Sequence, residues 1–543
     1  MTTYLIALDG ASPNLINKWI DEGHLENLGK IRSQGLSGKL ESTFPPLTGP
    51  AWSSFHTGVN PGKHGIYTWL DLSESYKGKV INGSSIKTKT IWQQMSSQGG
   101  RVGLLSVPVT YPPEKVNGFV VPGFLTPSST KNLSYPEELH SELLNAVPDY
   151  KFLPEPYMKG KDPRAWVSEL KKAVRDRGKA SRYLFREKFH GNTDEVMMTH
   201  FFATDQVQHF LWDEVSDDWD PRLEVFKEVD REIGKLIEET PEDAVFIILS
   251  DHGFGPVTET FNINTWLESE GYLNLNGNLG TNIKKRLAKL GFTEQNTQPI
   301  GEIIYPFAKK LGIVDNPITG LSTNDALNAL FLSSKDVDWR RTLAYSRSHI
   351  GHIRLNLKAR EKSGAVNKED YEQIREEIME KLAKIRVPSS NKKLADWVKP
   401  KEDLYSGPYL DGAPDILFNP LEGASCQGSI VGYGAIMFFN SSVFSKKLHP
   451  GHHRRDGILM AYGKGVENTE KNASIMDLAP TILNLGSYEI PSQMDGSVIG
   501  EIASSDPQYY EPDDFYKQPV SKKESEDKNN EEITERMESL GYL

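Results

Sequence analysis

Tyr4-Leu5-Ile6-Ala7-Leu8-Asp9 is a short, unbroken apolar run closed by an acidic residue, and Ala244-Val245-Phe246-Ile247-Ile248-Leu249 leads in the same way to Ser250-Asp251-His252. Runs of this length and composition read as strands buried on both faces, as in a parallel sheet covered by helices. In an open α/β sheet, ligands gather at the carboxyl ends of the strands. Asp9, Asp251 and His252 therefore point into one crevice. Burying Asp251 and His252 without a metal or counter-charge would cost several kcal/mol.

Working outward, strand-like and helix-like segments alternate. Ser12 to Glu22 reads as a helix opened by a Ser-Pro cap, and Ile91 to Gln98 as another, broken by Gly99-Gly100 before a strand from Val102 to Val107. A long amphipathic helix over 160–190 precedes a strand Glu195 to Phe202, a helix of about Pro221 to Glu239, and the strand ending at Asp251. The fold class is α/β, a mixed but mostly parallel sheet sandwiched by helices. After Trp266 the character changes: 275–335 has short helical patterns and little strand signal, and reads as an inserted cap. A strand-like segment (342–357) and a helix (Lys368 to Lys384) follow. The sheet resumes at Gly457 to Gly463, with a helix from Ser474 to Gly486. The expected organisation is a core of 1–270 and 451–510, a cap with a return to the core at 271–450, and a polar tail at 511–543. Lys522 to Lys528 has no apolar anchor, and Ile533 to Leu543 forms a short terminal helix in this reading.

The chain has 543 residues, 37% hydrophobic and 25% charged, as in an ordinary soluble globular protein. Its net charge of −12 argues against a general nucleic-acid-binding surface. The single cysteine, Cys426, excludes an intramolecular disulfide framework and a cysteine-rich metal site, and reads as a buried free thiol. There is no signal-like n-region and h-region and no membrane span, so a cytoplasmic location is expected.

Asp205 and His209, spaced i, i+4, share one face of a helical turn beyond the strand ending near Phe202. Such pairs are usually surface contacts, and Asp9-Gly10 alone could be a hairpin turn. In Gly451-His452-His453-Arg454, neighbours in an extended segment point to opposite sides, so one histidine at most should be a ligand. Thr48, in Thr43-Phe44-Pro45-Pro46-Leu47-Thr48-Gly49-Pro50-Ala51-Trp52, lies at or just before a helix N-terminus, where free amides and the helix dipole favour phosphate. Together, Asp9, Thr48, Asp205, His209, Asp251, His252 and His453 suit a pair of divalent ions, zinc first and manganese as the alternative.

With these pieces in order, the sequence resembles the alkaline phosphatase superfamily, in its type I phosphodiesterase and nucleotide pyrophosphatase-like branch. The matching segments are Leu8-Asp9-Gly10, Thr43-Phe44-Pro45 through Thr48, Thr57-Gly58-Val59-Asn60-Pro61-Gly62-Lys63-His64-Gly65, Asp205 with His209, Ser250-Asp251-His252-Gly253, Gly451-His452-His453, and Met476-Asp477-Leu478-Ala479-Pro480-Thr481. The resemblance implies an alkaline phosphatase-like core and two metal sites. One is formed by Asp9, Thr48, Asp251 and His252, the other by Asp205, His209 and His453, the last chosen over His452 by the family's spacing. It also implies a small phosphate ester as substrate, attacked by Thr48 through a phosphothreonine intermediate, with a diester favoured. A phosphomutase or phosphomonoesterase on the same site, or an inactive metal-stabilised binding protein, are the alternatives. His64 and Asp477 to Thr481 look architectural. One departure stands out: where nucleotide pyrophosphatases carry an Asn three residues after the nucleophile, this chain has Ala51. A backbone amide near Gly49 or Lys63 could replace that donor. The window Thr48-Gly49-Pro50-Ala51-Trp52 also lacks the sulfatase pattern. The cap offers Tyr345, Arg347, His352 and Tyr405 as candidates to meet substrate.

Overall fold

A computed structural model describes residues 2–289 apart from 74–75, 77, 128–132, 158–159 and 190–193, then 332, 334–348, 350–421, 423–427, 442–447, 449–517 and 533. Most of the 275–335 segment, the Lys522 to Lys528 linker, the terminal helix beyond Ile533 and the Cys426 side chain lie outside the described residues.

The central sheet has eight strands, in the order Ala473–Ser474, Leu36–Glu41, Asp456–Gly463, Val245–Leu249, Thr2–Leu8, Glu195–Phe201, Arg101–Val107 and Gly118–Pro122. Thr2–Leu8 is parallel to both its neighbours, and Arg101–Val107 to both of its own. Asp456–Gly463 is inserted antiparallel between Val245–Leu249 and Leu36–Glu41. Side-chain alternation divides the core cleanly. Tyr4, Ile6, Leu8, Phe246 and Ile248 pack on one face with the helices Pro163–Lys188 and Pro221–Glu238. Leu5, Ala7, Ile247 and Leu249 pack on the other with Thr48–Thr57, Ile91–Ser97 and Leu478–Leu485. Both faces are covered, which is why these strands read as continuous apolar runs.

Several helices start where a side chain accepts from their free amides. Asp220 accepts from Arg222 N and Leu223 N ahead of Pro221, and Thr90 forms a capping box with Gln93. Ser474 does the same with Asp477 in the short turn before Leu478–Leu485, the architectural role expected of that motif.

A second, antiparallel sheet orders Ala344–Tyr345, His352–Leu355, Ile416–Pro420 and Ala395–Pro400, with the helix Tyr371–Lys384 packed against it over its own apolar core. It meets the main body through Phe44, Leu47 and Tyr67 on one side and Ile350, Tyr405, Ala413 and Leu417 on the other. A third small sheet pairs Gly253–Asn262 with Gly423–Gln427, Phe444–Lys446 and Gly451–Arg454. No helix among the described residues is long and apolar enough to cross a membrane.

The second sheet is tied by Asp415, which is fully buried. Arg360 reaches both its oxygens at 3.0 and 2.7 Å, Lys401 lies at 3.3 Å, and Tyr371 and the Leu355 amide donate at 2.9 and 2.7 Å. Burial alone would raise the Asp415 pKa, but the charges of Arg360, Lys401 and Arg354 hold it well below the ordinary carboxylate value. A depressed folded pKa contributes stability that is present above the unfolded value, near 4, and is lost as pH falls through the folded one. Asp415→Asn is expected to destabilise the protein by about 3–5 kcal/mol at neutral pH, because it leaves buried cations unanswered. The gap in melting temperature between wild type and variant should narrow below about pH 4. A pH-independent gap would show that the charge is not what matters.

Candidate metal centre

The parallel order of the three middle strands sets the site. Asp9 follows Leu8, Asp205 lies one helical turn beyond Phe201, and Asp251 follows Leu249 after one residue, so three carboxylates meet at one sheet edge. Gly10, at φ +68°, lets the chain turn away directly after Asp9 while its amide donates to Asp251 Oδ1 at 3.4 Å. The antiparallel strand Asp456–Gly463 brings its amino end to the same edge. Just before it, Gly451–Arg454 pairs with Gly253–Asn262 so that His453 lies opposite Phe254. Gly253 permits this approach, since a Cβ there would lie 2.0 Å from the Asp456 carbonyl oxygen.

All seven residues singled out from the sequence come together here and are buried. Asp9, Asp251 and His252 present ligand atoms within 4.8 Å of one another, and so do Asp205, His252 and His453. His209 Nε2 lies 3.4 Å from Asp205 Oδ1 and 2.9 Å from His453 Nε2, completing the second group. His252 sits between the groups, its ring stacked on that of His453 with centroids 3.6 Å apart. Thr48 is the first residue of Thr48–Thr57, and its Oγ1 lies 3.3 Å from His252 Nε2.

The imidazoles are oriented by carbonyls. His252 Nδ1 lies 3.0 Å from Gly253 O and His453 Nδ1 lies 2.9 Å from Pro46 O. A carbonyl can only accept, so both Nδ1 atoms carry the hydrogen and both Nε2 lone pairs face inward. His452, by contrast, is only half-buried. The choice of His453 over His452 thus has a geometric basis in strand alternation.

Electrostatics test whether cations fit. Burial, then the charges of Asp251 and Asp205, push the Asp9 carboxyl well above the ordinary carboxylate value. Burial also raises Asp205 and Asp251. His252 and His453 are driven down to about 3, chiefly by burial, and His209 falls well below its usual value by burial and then the charge of His453. Asp9 Oδ1 and Asp251 Oδ2 are buried and accept no hydrogen bond from a described residue. Clustered acids, neutral imidazoles with inward lone pairs and unanswered buried oxygens are the donor set a divalent ion needs. The residues fit a divalent ion.

One participant was not anticipated. His200, on the strand Glu195–Phe201, contacts Asp9 Oδ2 through Nε2 at 2.8 Å and is fully enclosed, with Trp52 packed edge-on at 5.3 Å between centroids. It steers the other Asp9 oxygen toward the centre. The available signal was a histidine one place from the carboxyl end of an otherwise buried strand. Lys63 does not serve the site as suggested: its Nζ is held by Asp495 Oδ1 at 2.5 Å and Gln493 O at 2.8 Å. His64 bonds Ser54 Oγ at 2.9 Å and accepts from the Ile66 amide, as an architectural residue should.

The sequence model of the type I phosphodiesterase / nucleotide pyrophosphatase family matches residues 3–430. The chain belongs to that family. No curated protein matches it closely enough to be counted as a relative. Among solved structures, the alkaline phosphatase PafA superposes with a TM-score of 0.51 at 12% identity, over 92% of this chain and 98% of that one, and shows the shared fold. Human ectonucleotide pyrophosphatase/phosphodiesterase 5 (TM-score 0.48, 13% identity, 92% and 97% covered) and phosphonoacetate hydrolase of Sinorhizobium meliloti (0.49, 14%, 88% and 94%) are also similar. As a member of the type I phosphodiesterase / nucleotide pyrophosphatase family, with an alkaline phosphatase-like fold, this chain is a phosphoric ester hydrolase.

Proposed function

We propose that the protein is a metal-dependent phosphodiesterase in which Thr48 is the nucleophile. The observation that carries this reading is the Thr48 hydroxyl, buried on the first residue of a helix and 3.3 Å from His252 within the carboxylate–imidazole cluster. Asp9, Asp251 and His252 with Thr48 would hold one divalent ion, and Asp205, His209 and His453 the other, zinc or manganese by donor type. When bound, such ions supply positive charge that lowers the pKa of the hydroxyl and offsets charge on the transferring group.

The chain's own residues do the rest. The Leu47–Thr48 turn presents Oγ1 at a fixed point, because Pro46 O is engaged by His453 and Phe44 O by the Tyr405 hydroxyl at 2.8 Å. Thr48 attacks phosphorus, the leaving alcohol departs, and water then releases the phosphoryl group and restores Thr48. Ala51 is buried and offers no donor. Free amides of the first turn of Thr48–Thr57 are left to meet the non-bridging oxygens. Orientation and fixed charge are the sources of rate here.

The test is hydrolysis of bis-p-nitrophenyl phosphate beside p-nitrophenyl phosphate, with zinc or manganese supplied. The diester should be the better substrate. Chelation should abolish turnover and lower the melting temperature, since ions bound only to the folded state stabilise it. Turnover that survives chelation would refute the metal dependence, and a clear preference for the monoester would refute the diester assignment.

A further inference from the structure

A cavity of about 360 Å³ opens at the seam between the main body and the cap, within the size range of small-molecule sites. Tyr67 and Lys87 line it from the main body, and Arg347, His352, Arg354 and Tyr409 from the cap side. No residue of the metal centre lines it, yet it shares a wall with the loop that presents Thr48. Ile81 lines the cavity and packs on Gly49, the residue after Thr48. The His352 ring lies 6.3 Å from that of Phe44, and the Tyr67 ring lies 5.4 Å from that of Tyr405, whose hydroxyl holds the Phe44 carbonyl.

The charges in this cavity are unequally answered. Arg354 donates to Gly412 O at 2.7 Å and to Glu361 at 3.2 Å, and the Arg360 guanidinium is committed to Asp415. Arg347 donates to the Tyr76 carbonyl at 2.6 Å. Lys87 is half-buried, and its Nζ makes no ion pair among the described residues. His352 is buried, and its Nε2 has no hydrogen-bond partner among the described residues. Burial, then Arg354, lowers its pKa to about 3, so the ring is neutral and can donate one hydrogen bond. The acids that line the cavity, Asp71 and Asp411, are exposed, and the Ser73 amide already donates to Asp71. The interior therefore presents the Lys87 ammonium beside a neutral donor, His352, and the rim is acidic.

We propose that this cavity binds a second acidic group of the substrate, a carboxylate or phosphate beyond the ester that Thr48 attacks, with Lys87 and His352 as its recognition groups. A partly desolvated ammonium binds an oxyanion more strongly than neutral donors do. The seam cavity then recognises the far end of the substrate while the metal centre carries the chemistry. This inference rests on the phosphoryl-transfer reading above.

The experiment compares two p-nitrophenyl phosphodiesters with the same leaving group, one esterified with propyl alcohol and one with a chain ending in a carboxylate. Wild type should favour the carboxylated ester in kcat/KM by about tenfold or more, mainly through KM. Lys87→Ala should erase the preference and Lys87→Glu should reverse it. Equal rates for the two esters with wild type, or a preference that survives Lys87→Glu, would overturn the proposal. A binding readout separates this from failure of the catalytic reading. Glutarate should raise the melting temperature of the metal-replete wild type and not that of Lys87→Glu, whether or not either ester turns over. Equal shifts in both proteins, or none in wild type, would overturn it as well.

Discussion

Thr48→Ala is expected to lower turnover of bis-p-nitrophenyl phosphate by on the order of 10⁴-fold, with little change in KM. The substitution removes one buried hydroxyl, which lies 3.3 Å from His252 Nε2, and leaves the remainder of a well-packed helix start in place. The fold should therefore survive, Asp9, Asp251 and His252 remain to hold the ion, and the loss should fall on kcat. Thr48→Ser restores the hydroxyl and should recover most of the activity. The pair of variants separates a nucleophile from a packing residue: if alanine and serine were equally active, or equally dead, Thr48 would not be acting through its oxygen.

The second large effect concerns Asp251. Its Oδ1 accepts from the Gly10 amide, and its Oδ2 is buried without a hydrogen bond from a described residue. Asp251→Asn keeps the shape and removes the charge. Activity should fall on the order of 10³-fold, at the upper end of the cost of removing one preorganised electrostatic group. Metal content should drop from two ions per chain to about one. The metal-free proteins should behave in the opposite sense. Asp9, Asp205 and Asp251 are buried together, and all three pKa values are raised by burial first, those of Asp9 and Asp251 also by the neighbouring carboxylates. Relieving one charge should raise the melting temperature of the metal-free variant above that of metal-free wild type. Calorimetry with and without zinc reads both effects, and an unchanged metal content would remove Asp251 from the ligand set.

The legible part of this protein is the part where burial and chemistry coincide. Leu8-Asp9 and Leu249-Ser250-Asp251-His252 could be read because a charge at the end of an apolar run has few explanations other than a site at a sheet edge. Asp205 and His209 gained meaning only from joining that pattern. His453 could be named only from the spacing that the family resemblance implies, because the ladder to Phe254 that seats it has no local signal. His200 carries no signal of its own in the sequence, because a histidine inside a buried strand resembles core until its partner, Asp9, is known. Leu36–Glu41 was missed as a strand, since Leu-Ser-Gly-Lys-Leu-Glu has little β character of its own and is ordered by its antiparallel neighbour Asp456–Gly463. Gly253–Asn262 was hidden by its two glycines and Pro256, which make room for close backbone neighbours. The seam cavity was only hinted at by Arg347 and His352, because its other wall comes from residues near Lys87, far away in sequence.

The most direct test of the central claim is mass spectrometry of the metal-replete enzyme, acid-quenched during turnover of bis-p-nitrophenyl phosphate. A p-nitrophenyl phosphoryl adduct on the peptide that carries Thr48, absent from Thr48→Ala, is the predicted result. Steady turnover with no adduct on that peptide, together with an active Thr48→Ala enzyme, would contradict the account.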